Sequence, residues 1–324
     1  MESLQTTKTR LKAVKNVGQI TKAMEVVAAT KMRRAQEAAL NTRPYAYEAL
    51  KLLGRVLAAY LPAQAGLRRQ VAPLSLPMTV ARPVKKTLVL IVASDRGLAG
   101  SFNGQIFKLA DQFFTRDELA GREGHEYLIV SVGKKAAAYS AKKPFKTVRT
   151  FDNAMDVTEL GQIAELSEFL TDGFLKKDWD RVVTISTHFR TALKQEPLLR
   201  QILPLDLAKI KETIKEIVPE RGRYSGEKVE MNGKEETRAT DYILEPSPRE
   251  LLENLMAHLA GMQIYHLFLE VKASEHSARR VAMKTASDNA TELGDALTLE
   301  YNKARQVGIT RELAEITTTI MTLE

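Results

Sequence analysis

The chain has 324 residues, 44% of them hydrophobic, and a formal net charge of +8, enough to bury one to three cores and to attract something acidic. It contains no cysteine, which excludes disulfides, thiolate metal sites and cysteine nucleophiles and suits a reducing cytoplasm. The opening MESLQTTKTRLKAVKNVG lacks the apolar run of a signal peptide, and no stretch approaches the ~18 apolar residues of a membrane span, so a soluble or peripheral protein is expected.

The first predicted element is a long helix over residues 1–61. No proline precedes Pro44, and Leu4, Leu11, Val14, Val17, Ile20, Met24 and Val27 step by 7, 3, 3, 3, 4 and 3, a stripe close to a heptad. Ala28, Met32, Ala35 and Ala39 continue at 4, 3 and 4, as a seam drifting sideways along one helix would. Pro44 is a candidate kink, but YAYEALKLLGRVLAAYL resumes helical spacing to about Leu61. Between Lys8 and Arg34 stand eight basic residues (Lys8, Arg10, Lys12, Lys15, Lys22, Lys31, Arg33, Arg34) and one acid, Glu25. Such a positive flank beside a dry seam suits acidic protein segments.

Residues 62–86 carry four prolines and read as an extended connector. TLVLIVAS (Thr87–Ser94) is then a continuous apolar run of buried-strand type, followed by the Gly-rich DRGLAGSFNG and a helix to about Phe114. EYLIVSVG, KKAAAYSA, FKTVRTF, VTELGQIAELSEFLTDGFLKK, RVVTISTHF and LRQILPL follow as strand, helix, strand, helix and two strands. That alternation predicts a Rossmann-like α/β domain on a largely parallel sheet over 87–218. The polar stretch 219–248, with Asn232 and Gly233 between two short extended runs, reads as a hairpin-like insertion.

Residues 249–324 hold no proline and as one helix would reach roughly 110 Å, against ~85 Å for the first. Ala278, Ala282, Ala286 and Ala290 recur at i, i+4, small side chains that admit a close partner helix. Ile309, Leu313, Ile316, Ile320 and Leu323 step 4, 3, 4, 3, a coiled-coil seam. The fold class expected is therefore α/β plus a long α-helical coiled coil: an antiparallel two-helix coiled coil from the N- and C-termini, with an inserted Rossmann-like α/β domain. The longer helix is expected to protrude and to need a partner over its apolar seam.

Catalytic signatures are weak. Gly97, Gly100 and Gly104 fit neither the dinucleotide nor the P-loop fingerprint. His125, His188, His258, His266 and His276 show no metal-ligand spacing. Asp95 and Arg96 close the first central strand, where an ion pair or turn cap is the simpler account than an active site. A basic helix is also compatible with nucleic acid, although no aromatic residue lies among its charges.

Three segments are specific. KNVGQITKAMEVVAATKMRRAQ (Lys15–Gln36), SDRGLAGSFN (Ser94–Asn103) and SEHSARRVAMKTASDNATELGDALTLEYNKARQVGITRELAEI (Ser274–Ile316) resemble, in order and separation, the signatures of F-type ATP synthase gamma subunits. The resemblance implies a rotor shaft whose coiled coil sits inside a hexamer of alternating alpha and beta subunits, with the α/β domain beside the epsilon subunit and the membrane c-ring. It implies no catalytic residue, cofactor or metal in this chain, nucleotide chemistry in the beta subunits, and a peripheral place on the cytoplasmic side of a bacterial membrane. By position, Met24, Arg279, Arg305, Gln306, Thr310 and Glu312 match contact positions of the torque and catch regions in that family. Without the resemblance, Met24 would read as seam packing and the arginines as a solvated face. The end TTTIMTLE departs from the Gly/Ala-rich finish of many members. A static coiled-coil scaffold and a nucleic-acid-binding protein are the competing readings.

Overall fold

The computed structural model describes residues 4–65, 77–121, 124–152, 160–205, 245 and 247–321. Helix α1 spans Leu4–Ala65, running four residues into the stretch read as connector. Pro44 costs one backbone hydrogen bond, and the helix continues past it. The strands and short helices follow as β1 (Lys86–Val92), α2 (Phe102–Arg116), β2 (Glu126–Val132), α3 (Lys134–Ser140), β3 (Lys146–Phe151), α4 (Leu160–Leu175), β4 (Arg181–Phe189) and β5 (Gln195–Leu203), and the last helix, α5, spans Pro248–Met321. The hairpin expected within 219–248 falls almost wholly outside the described residues.

Two units pack separately: Met1–Thr30 with Arg279–Glu324, and Lys31–Ala278. The second unit holds one sheet in the order β3-β2-β1-β4-β5. Strands β1 to β4 run parallel, and β5 turns back antiparallel on β4. Strand β1 is central, which is why its residues can be apolar on both faces: Leu88 to Val92 are fully buried, each contributing roughly 1.5–3 kcal/mol of burial before entropy is counted. Helix α2 buries Phe102, Ile106, Ala110 and Phe113, one stripe at helical spacing. Ala39, Ala46 and Leu53 of α1, and Leu252, Met256, Leu259, Ile264 and Phe268 of α5, belong to the same core as β1. The sequence limits follow prolines and composition, whereas this division follows packing, and it assigns long stretches of both terminal helices to the sheet.

Two glycines are dictated by close approach. Gly133, between β2 and α3, has φ +88, and a Cβ there would lie 2.2 Å from the Ala93 backbone oxygen. Gly133→Ala is accordingly expected to lower unfolding free energy by about 2–3 kcal/mol, from a left-handed backbone plus a clash that only main-chain movement relieves. Denaturant unfolding followed at Trp179, the single tryptophan and a buried one, measures this. Gly173 leaves room for the same Trp179 ring, which a Cβ would approach to 2.0 Å.

Where α5 crosses β4 and β5, the core turns polar. Arg200 Nη1 donates to Glu270 Oε2 over 2.8 Å, and His188 Nδ1 lies 3.1 Å from the same oxygen. Burial pushes the Glu270 carboxyl up, but His188 and Arg200 together outweigh it and hold it below its usual range. One turn earlier, the His266 ring lies 3.4–3.5 Å from Thr42 Oγ1 of α1. Burial pushes its pKa down to about 4, with Glu270 opposing. A histidine whose folded pKa lies below its unfolded value of 6.5 binds protons preferentially in the unfolded chain. Its contribution to stability is therefore complete above pH 6.5 and is lost as pH falls toward 4. We expect a loss of roughly 2–3 kcal/mol across that window, and His266→Asn should flatten most of the slope in a pH series of unfolding curves.

Candidate partner-binding surface

In the first unit, α1 and α5 lie antiparallel. A Cβ on Gly18 would sit 3.4 Å from Ala290 Cβ, and one on Gly294 would sit 3.9 Å from Val14 Cγ1. Lys22 is attracted to Asp288, and Glu25 to Arg280 and Lys284, so rising numbers on α1 meet falling numbers on α5. Among the buried and half-buried positions of α1, Leu4, Thr7, Leu11, Val14, Gly18, Thr21, Glu25 and Ala28 form a strict alternation of 3 and 4. On α5, Met283, Ser287, Ala290, Gly294, Leu297, Tyr301 and Ala304 form the same alternation.

This corrects the seam expected from the sequence. The apolar spacing assigns Val17, Ile20 and Val27 to it, yet with Val26 they are 52–59% exposed. The reason is close packing: Gly18, Ala290 and Gly294 let the two backbones approach, and larger side chains would hold them apart. Thr21 fits because its hydroxyl donates to Val17 O and Gly18 O of its own helix. Ala278, Ala282 and Ala286 are half-buried, as Ala290 is, with the buried Met283 and Ser287 beside them. A groove of about 700 Å³ flanks the close approach, with Lys15, Lys22, Asp288 and Asp295 on its walls.

The consequence is a second stripe on α1, facing outward. Val17, Ile20, Met24 and Val27 step 3, 4, 3, and only Met24 is half-buried. The basic residues Lys8, Arg10, Lys12, Lys15 and Lys22 are exposed around it. Helix α5 continues past Ala304, the position that the pairing sets opposite Leu4, and there Val307, Ile309, Leu313 and Ile316 are 49–59% exposed. Ile320 and Leu323, the rest of the expected seam, have side chains outside the described ones. Contiguous apolar surface of this kind is uncommon on a protein that works alone.

The six candidate contact residues fall into two groups. Met24 and Arg279 are both half-buried and adjoin Glu25 and Arg280, which attract each other across the seam. Arg305, Gln306, Thr310 and Glu312 are all exposed and begin about 39 Å further along α5 at 1.5 Å per residue. The Thr310 hydroxyl donates to Gln306 O, 2.9 Å away. Sequence reasoning missed Val26 and misplaced Val17, Ile20 and Val27; the small residues Gly18, Thr21 and Ala28, themselves at heptad spacing, were the available signal.

In the second unit, the Gly-rich turn is held by its own side chains. Ser94 N donates to Asn103 Oδ1, Asn103 Nδ2 donates to Ser94 Oγ, and Ser94 Oγ donates to Arg96 O. Asp95 Oδ1 accepts from Lys134 N at the start of α3, which fits the turn cap among the two roles, ion pair or turn cap, expected there.

Comparison with known proteins agrees along the whole length. A family model described as ATP synthase matches residues 3–323. The chain is 38% identical to the ATP synthase gamma chain of Geobacter metallireducens and 33% identical to that of Moorella thermoacetica, in each case over 98% of this chain and 97% of the relative. Its fold is similar to a chain in the OSCP/F1/c-ring structure of Euglena gracilis mitochondrial ATP synthase, with TM-score 0.59, 20% identity and coverage of 99% and 94%. A chain in the central stalk/c-ring structure from Tetrahymena thermophila matches with TM-score 0.52, 21% identity and coverage of 83% and 99%. With signatures, fold and full-length relatives in accord, the chain belongs to the ATP synthase gamma chain family.

Proposed function

We propose that this chain is the central rotor shaft of an F-type ATP synthase, coupling ion flow through a membrane c-ring to ATP synthesis or hydrolysis in the beta subunits of an alpha-beta hexamer. The observation that carries the reading is the outward apolar surface of the first unit, Val17, Ile20 and Val27 on α1 and Ile309, Leu313 and Ile316 on α5. Such side chains gain from an apolar sleeve and gain nothing from phosphates, which favours a protein partner over nucleic acid. The exposed basic residues around Met24 then meet acidic beta-subunit segments, and Arg305, Gln306, Thr310 and Glu312 supply a second contact zone. The α/β domain engages the epsilon subunit and the c-ring.

In this role the chain is non-catalytic. Three equivalent nucleotide sites surround a shaft whose faces differ, so each site meets different side chains and its nucleotide affinity shifts by the difference in contact energy, tenfold for every 1.4 kcal/mol. No helix among the described residues is long and apolar enough to cross a membrane. Attachment to the cytoplasmic side of a bacterial membrane follows from the complex. Mixing the chain with purified alpha and beta subunits at low salt tests the assembly: one chain per hexamer is expected by mass photometry, and separate elution of all three would rule the shaft out.

A further inference from the structure

Between α5 and the sheet of the second unit lies a polar layer that neither the fold nor the shaft reading uses. Thr184, Ser186 and His188 share one face of β4, and Arg200 of β5 pairs across from Thr184. Gln263, His266 and Glu270 lie 3 and 4 apart on one face of α5, with Glu270 bonded to Arg200 and beside His188. Thr184, Ser186, His188, Gln263, His266 and Glu270 are all more than nine-tenths buried. Yet Thr184 Oγ1, Gln263 Oε1 and Glu270 Oε1 have no hydrogen-bond partner among the described residues.

Buried polar atoms are bonded as a rule, because leaving one unbonded forfeits its hydration with nothing in return. Two of these three oxygens are pure acceptors and the third is a hydroxyl, so the layer is short of donors. The charge on Glu270 is already met by Arg200 at 2.8 Å, and the missing partner is therefore a neutral donor rather than a cation. We propose that the α5–β4 interface binds ordered water: solvent molecules that donate to Glu270 Oε1 and to Gln263 Oε1 and that exchange a hydrogen bond with Thr184 Oγ1, each oxygen served at its own position in the layer. A water with two to four polar partners in such a layer is a fixed part of the structure.

The sign of one mutation separates a wet layer from a dry one. Thr184→Val keeps the side-chain shape and removes the hydroxyl. In a hydrated layer it strips a ligand from bound water, and the thermal midpoint falls by roughly 2–4 °C. In a dry layer it removes an unbonded polar atom, and the midpoint holds or rises, which overturns the proposal. A map of the assembled complex near 2 Å resolution gives an independent readout. Solvent density within ~2.7–3.2 Å of Glu270 Oε1 is expected; an ordered Glu270 carboxylate with no such density also overturns it.

Discussion

Replacing Arg200 by methionine is expected to lower the unfolding free energy of the α/β unit by about 3–5 kcal/mol, because it leaves the carboxylate of Glu270 buried without its counter-ion. The pair is 2.8 Å apart with side chains 11% and 8% exposed, so bulk solvent does not screen the charge as it would at the surface. His188 remains within 3.1 Å of Glu270, but a single ring nitrogen does not replace the permanent charge of the guanidinium. The double substitution Arg200→Met/Glu270→Met removes both charges and should recover most of the loss. Denaturant unfolding of the two variants, read at Trp179, checks both expectations. If the single and double variants are equally unstable, packing rather than the unpaired charge is responsible. Exposed pairs such as Arg311–Glu315 (80% and 64% exposed) should contribute a few tenths of a kcal/mol at most.

The second large effect concerns the partner and leaves the fold alone. Ile20→Asp and Ile316→Asp place a carboxylate where the free chain exposes an isoleucine by more than half. Surface substitutions of this kind change stability by about 0.5 kcal/mol or less. In an apolar sleeve the same changes lose roughly 2 kcal/mol of burial and add the cost of desolvating a charge, so affinity for the alpha-beta hexamer should fall about 100-fold. Titration against the hexamer, with circular dichroism as the control for folding, measures the difference. Equal affinity in the variants would place the partner on some other face.

The sheet was legible in the sequence because a central parallel strand is buried on both sides and must be apolar throughout: TLVLIVAS needed no partner to be read as one. The coiled coil was legible as a pair of helices, and Leu4, Leu11, Val14 and Ala28 of its seam were legible with it, but the stretch between Val14 and Ala28 was not. Large apolar residues are the usual sign of a seam, and here they stand at Val17, Ile20 and Val27, which face outward, while Gly18, Thr21 and Ala28 face α5. A chain that packs twice, once on itself and once on a sleeve, carries two stripes, and the louder one belongs to the outer contact. Six candidate contacts were named by position in a family, and the fold separates them into two zones, one with Met24 of α1 and Arg279 of α5 and one further along α5. The Arg200–Glu270–His188 cluster was illegible for a different reason: Glu270 stands 70 and 82 residues from Arg200 and His188, and local spacing carries no trace of the meeting.

Rotation itself is the central claim, and the cysteine-free chain makes it directly measurable. Leu193, at the exposed tip of the β4–β5 hairpin (82% exposed), can be replaced by cysteine and carry a bead or rod on an immobilised alpha-beta complex. With ATP present, the probe should turn continuously in one direction, at a rate that follows ATP hydrolysis. Hydrolysis by the assembled complex with a stationary probe would show a fixed strut in place of a shaft.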